Sequence, residues 1–133
     1  MKTKLLRLLI TPLASGLGMW IIAGLWHNLI LPGINENVEA HHQGIGIMLI
    51  AYLLLAFLMT YIYSQIDKSG NTIYKGLRIG VIIGILWVLP HGLAMAGAHD
   101  TSIIYEIKNA VWHMFEQGIG GIIIAVIYKK FSK

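Results

Sequence analysis

Apolar residues fill the chain in four long blocks, and polar or charged residues mark the seams between them. No Asp, Glu, Lys or Arg occurs in residues 8–35, 40–66 or 79–99. Each block exceeds the roughly 20 residues that an α-helix needs to span the hydrocarbon core of a bilayer. The fourth block, residues 102–128, carries Glu106 and Lys108 near its start and only Glu116 farther in. The pattern predicts four transmembrane helices over about residues 6–31, 36–65, 74–97 and 102–130, in one domain of residues 1–133.

The seams carry matching stop and start signals. Pro32-Gly33 ends the first helix, because proline cannot continue it and glycine suits the C-terminal turn. Asn35 or Asn37 can cap the second, with Glu36 and Glu39 favourably placed in its first turns. DKSGNT, residues 67–72, reads as a polar turn, and Asp100-Thr101-Ser102 offers three caps for the fourth helix.

Composition agrees with the pattern. A 133-residue chain that is 56% hydrophobic and 12% charged is too apolar for a soluble domain of this size. The fold class expected is an all-α integral membrane protein, a four-transmembrane-helix bundle with no soluble appendage. The first block is too long for a signal-peptide core, and Ala14-Ser15-Gly16 is a poor cleavage site inside it. The absence of cysteine excludes disulfides, thiolate ligands and Cys-linked haem.

Charge then sets an orientation. Lys2, Lys4 and Arg7 precede the first helix, Lys68, Lys75 and Arg78 lie in the second connection, and Lys129, Lys130 and Lys133 follow the fourth; Lys108 is the exception among the ten basic residues. By the positive-inside rule that side is cytoplasmic, and both termini with it. The expected location is the inner (cytoplasmic) membrane, multi-pass. The net charge of +4 reflects this anchoring, so no nucleic-acid partner is inferred. The partners expected are the lipid bilayer and either other membrane subunits or further copies of the chain.

Helices two and four align. HHQGIGIMLIA (41–51) and FEQGIGGIIIA (115–125) share Gln, Gly, Ile, Gly and a later Ile-Ala in register, and Asn35 falls on Asn109 at the same offset. GLW (24–26) echoes the GILW of 84–87 more weakly. Both halves start on the same side, which points to a parallel two-plus-two repeat.

The chemistry follows from that alignment. His113 falls on Glu39 and Glu116 on His42, so each half holds one histidine and one carboxylate three residues apart, in swapped order. Residues at i and i+3 share a helix face. Glu-x-x-His pairs facing the core of a bundle are a known way to hold iron or manganese. His27 and His91 lie toward the outer ends of helices one and three. The sets are His27, Glu39 and His42 in one half, and His91, His113 and Glu116 in the other. Two histidines and a carboxylate bind Fe, Mn or Zn with positions left open, and Cu is also within the range of such ligands.

Neighbouring residues extend the site. A stripe of Glu106, Asn109, His113, Glu116, Gln117 and Gly120 marks an inward face on helix four, and Gly84, Trp87, His91 and Met95 a similar stripe on helix three. Glycine there can admit a neighbouring helix or the flat face of a large cofactor. His41, His99, Asp100 and Glu36 fall at the solvated mouth.

Three functions fit this constellation. The first is a membrane metalloprotein with a mono- or dinuclear His/Glu site in the outer half, facing the periplasmic side, redox-related and thus a candidate metal-dependent oxidoreductase. The second is a small b-type cytochrome, with haem b between His27, His91 or His113 and electrons passing to or from quinone. The third is a metal-ion or proton permease, or a structural subunit of a larger membrane complex. A permease needs polar residues through its inner half. That half reads as sealed by Leu, Ile, Val, Ala and Gly, with Ser15 and Thr60 standing out. Two carboxylates beside a haem would be costly, which favours the bare metal.

Overall fold

The computed structural model describes residues 2–30, 44–66 and 72–131, with side chains from Arg7 onward. Apart from Thr72, Thr101 and Ser102 at helix starts, those residues are helical or turn, without strands. Four helices are long and apolar enough to cross a membrane, as a multi-pass membrane protein requires. They are α1 (Lys2–Leu25), continued by a π-helical turn at Trp26–Ile30, then α2 (Ile45–Ile66), α3 (Ile73–His99) and α4 (Ile103–Lys130).

Helix ends follow the capping residues. The Thr72 hydroxyl accepts the Lys75 amide at 3.2 Å and starts α3, and the Ser102 hydroxyl accepts the Tyr105 amide at 3.4 Å and starts α4. Asp100, at φ 53°, closes α3 in the left-handed conformation. Of the three expected caps, Ser102 starts the fourth helix while Asp100 ends the third. The Pro32-Gly33 stop, the caps at Asn35 and Asn37, and the DKSGN part of the second turn lie outside the described residues.

α1 shows why the chain suits lipid. Its inward face is Thr11, Ser15, Met19 and Ala23, all buried, while Leu9, Leu13, Leu17, Ile21 and Leu25 are exposed. Both series step by four residues along the helix. The polar side chains turn in and the leucines turn out, the reverse of a soluble helix.

α4 is the hub. α3 packs along one side of it, α1 along another, α2 lies mainly on α1 and meets α3 and α4 only lightly, and α1 and α3 do not touch among the described residues. The α3–α4 contact is made of backbone. A Cβ at Gly80 would run into the Gln117 carbonyl, one at Gly84 into the His113 carbonyl, and one at Gly76 into the Gly121 carbonyl. Glycine is needed there because only its absent side chain lets the two backbones approach so closely.

This contact corrects the expected inward stripe on α3. The buried positions are Gly76, Ile79, Gly80, Gly84, Gly92 and Ala96, whereas Trp87, His91 and Met95 are exposed. Two glycines near the site admit a neighbouring helix: Gly84 faces α4, and Gly120 faces Ser15 and Met19 of α1.

The two matched QGIG segments stand in different settings. Gly44, at φ +94°, immediately precedes α2, whereas its counterpart Gly118 is buried inside α4. A helix cannot run unbroken through a residue at that φ.

Candidate functional site

Glu116 and Gln117 sit near the middle of α4, about 20 Å along the axis from either end, and both are fully buried (0% exposed). An ionisable group at such depth marks a function by default, because lipid offers no solvation for its charge. Helical spacing brings His113 over Glu116. The Nδ1 of His113 lies 2.9 Å from the Glu116 Oε2, with the histidine side chain 15% exposed.

Neither atom is aligned as a hydrogen bond. Both Glu116 oxygens, His113 Nδ1 and both amide atoms of Gln117 are buried without a hydrogen-bond partner. The Tyr52 phenol of α2 reaches the Glu116 carboxylate, but again not in good hydrogen-bond alignment. His27 of the π turn is partly buried and within electrostatic reach of both Glu116 and His113. The glutamate is therefore faced by α1, α2 and its own helix, while α3 presents glycines at this level.

A tryptophan stack ties the two histidine-bearing segments together. Trp26, next to His27, and Trp112, next to His113, lie with ring centroids 4.0 Å apart and planes at 11°. The π turn helps: its wider turn shifts His27 off the face it would occupy if α1 continued regularly. Asn28 holds the turn to α1 by donating to the Gly24 carbonyl at 2.8 Å.

Of the six residues expected at the site, the structure brings His113 and Glu116 into contact and leaves His27 within electrostatic reach of both. His91 stands apart: it is exposed and next to Gly92, which faces Glu106 across the α3–α4 contact. Gly84 faces His113 in the same contact, so His91 lies about 10 Å along the axis from the level of His113. Glu39 and His42, with His41 and Glu36, lie outside the described residues. His99 and Asp100 are exposed at the end of α3, as expected of a mouth. Among the described residues, no three of His, Asp and Glu are grouped closely enough to hold a metal ion by themselves.

Two findings were not anticipated. Tyr52 joins the site, a residue that its apolar helix disguises. The inner half, moreover, buries more polar groups than the two expected: Thr11, Ser15 and Thr60 lie there together with the hydroxyl-bearing Tyr63 and Tyr128. Thr11, Tyr63 and Tyr128 did not stand out in the sequence, although each carries a hydroxyl on an otherwise apolar helix.

Comparison with known proteins finds no matching family model, no matching curated protein and no matching solved structure.

Proposed function

We propose that this is a membrane metalloprotein whose ion is held by His113 and Glu116, with further ligands from the expected set outside the described residues, in the outer half of the helix assembly. One observation carries the reading: His113 Nδ1 and Glu116 Oε2 are 2.9 Å apart, buried, and not hydrogen-bonded. Two ligands each about 2.1 Å from one ion, and at right angles, lie about 3 Å from each other. A fully buried carboxylate with lone pairs unmatched is also a costly arrangement unless a cation completes it.

Imidazole and carboxylate together select a first-row transition ion, Fe, Mn, Cu or Zn, over Ca or Mg. Glu39 and His42 are the natural completion of the shell in the paired-set reading, and Gln117 beside the pair can orient it. With the basic residues read as cytoplasmic, the site opens to the periplasmic side of the inner membrane. A redox-active ion there makes oxidoreductase chemistry the leading activity. For the haem alternative, Gly84 and Gly120 leave no room, since each is packed against a neighbouring helix.

Elemental analysis and an absorption spectrum of the purified protein test this. The expected result is near-stoichiometric metal without a Soret band, falling sharply in Glu116→Gln and His113→Ala. Full occupancy in Glu116→Gln, or a metal-free wild type, overturns it and leaves the pair sharing a proton.

A further inference from the structure

At the membrane face that carries Arg7 and Lys130, the four helices meet in one cluster, and each supplies one residue. The Arg7 guanidinium of α1 lies 4.4 Å from the centre of the Tyr128 ring of α4. The Lys75 ammonium of α3 lies 4.7 Å from the centre of the Tyr63 ring of α2. The two rings meet edge to face at 5.1 Å between centres, and both are buried. An aromatic face attracts a cation electrostatically. The tyrosine pair therefore gathers two like charges at one end of the core.

No described carboxylate lies at this end. Asp100 and Glu106 flank the α3–α4 connection at the opposite end, Glu116 sits near the middle of α4, and Asp67 lies outside the described residues. Arg78, Lys129 and Lys130 are exposed around the same end and add to its positive charge. Arg7 is half-buried, and its Nε–H has no hydrogen-bond partner. Stacking on Tyr128 engages the face of the guanidinium and leaves its N–H edge, the part that grips a phosphate through paired bonds. The depth is that of lipid headgroups: Arg7 opens the first apolar span, and Tyr61 and Tyr74, 62% and 72% exposed, stand near the same level. The two cations, moreover, belong to α1 and α3, which do not touch among the described residues.

We propose that this cluster binds the phosphate headgroup of an anionic glycerophospholipid, held by Arg7 and Lys75 above the Tyr63–Tyr128 pair, and that the lipid ties α1 to α3. Basic pockets between transmembrane helices at the membrane surface take such headgroups by charge complementarity. The surface beside the cluster selects a lipid over a soluble phosphate. Leu8, Leu9 and Leu13 of α1 and Leu77 of α3 are exposed just inside the two cations. Acyl chains can lie along them, and a soluble anion has no use for them. The cluster shares no residue with the His113–Glu116 pair, so the proposal stands or falls apart from the metal reading.

The test is lipid retention by delipidated protein in a nonionic detergent. Phosphatidylglycerol and phosphatidylcholine with the same acyl chains are added in equal amounts, and bound lipid is read by native mass spectrometry. Wild type should retain the anionic lipid roughly tenfold better or more, since each nearby cation contributes about fivefold. Added salt should shrink the preference. Arg7→Gln with Lys75→Gln should bring the ratio close to one, while Lys129→Gln with Lys130→Gln, away from the tyrosine pair, should keep most of it. Equal retention of the two lipids by wild type overturns the proposal, whether or not the variants fold. A preference that survives in the Arg7 and Lys75 variant, or a loss shared equally by both double variants, overturns it as well, because bulk surface charge then accounts for the binding. Inorganic phosphate should displace the lipid no better than chloride at matched ionic strength; better displacement would make free phosphate the occupant and overturn the lipid assignment.

Discussion

The two faces of α4 make opposite bargains. Toward α3 it offers Gly118 and Gly121, and the contact with Gly76, Gly80 and Gly84 is backbone against backbone. Toward α1 and α2 it offers Glu116, Gly120, Ile124 and Tyr128, which meet Ser15, Met19, Tyr52 and Tyr63. The first face is close, small and chemically inert. The second is built of larger side chains, several of them polar. In lipid there is no hydrophobic drive between helices, so association must come from close packing or from polar contacts. α4 uses the glycine face to hold the structure together, and this leaves the other face able to keep costly groups such as Glu116 in place.

The largest effect should come from breaking the inert face. Gly80→Leu forces a side chain into the Gln117 backbone, which cannot retreat as a flexible side chain could. We expect a loss of about 3 kcal/mol or more, as overpacking against backbone implies, read as failure to recover helical, monodisperse protein from detergent. Near-wild-type melting would show that α3 does not pack on α4 as described.

Next comes the costly face. Glu116→Met removes a buried ionisable group and keeps the volume, and His113 can remain neutral beside it. Stability should hold or rise by about 1–2 kcal/mol while bound metal is lost. A clear drop in thermal stability would mean that the carboxylate supports the fold.

A smaller effect is expected at the tryptophans. Trp112→Leu removes the stack on Trp26 and should cost about 0.5–1.5 kcal/mol beyond the lost area. If the stack positions His113, metal affinity should fall with it; unchanged affinity would leave the stack a packing contact only.

The smallest belongs to the mouth. His99→Ala, at an exposed helix end, should change stability by less than about 0.5 kcal/mol and leave metal content unchanged. A loss of metal there would move the site outward from α4.

Much of the fold was legible in the sequence. Expected helices at about 74–97 and 102–130 correspond to Ile73–His99 and Ile103–Lys130, because threonine, serine and charge mark helix ends locally. The pairing of His113 with Glu116 was legible too, since i and i+3 spacing on a helix leaves little freedom. The place of His91 was not. Gly84, Trp87, His91 and Met95 make as regular a stripe as Gly76, Gly80 and Gly84, so periodicity alone could not choose between them.

The sequence by itself determined that the chain makes four long apolar helices, where two of their connections begin and end, and that one helix carries a histidine and a carboxylate on one face. These are properties of single segments, set by the transfer of side chains to lipid and by local capping. Only the tertiary structure decided which face of each helix turns inward, that His27 and Tyr52 reach Glu116 while His91 does not, and that Thr11, Ser15 and Thr60 line one core. The reason is physical. Lipid and a helix surface are almost equally apolar, so hydropathy cannot tell a buried face from an exposed one. Close backbone approach makes that choice, and it depends on two helices at once.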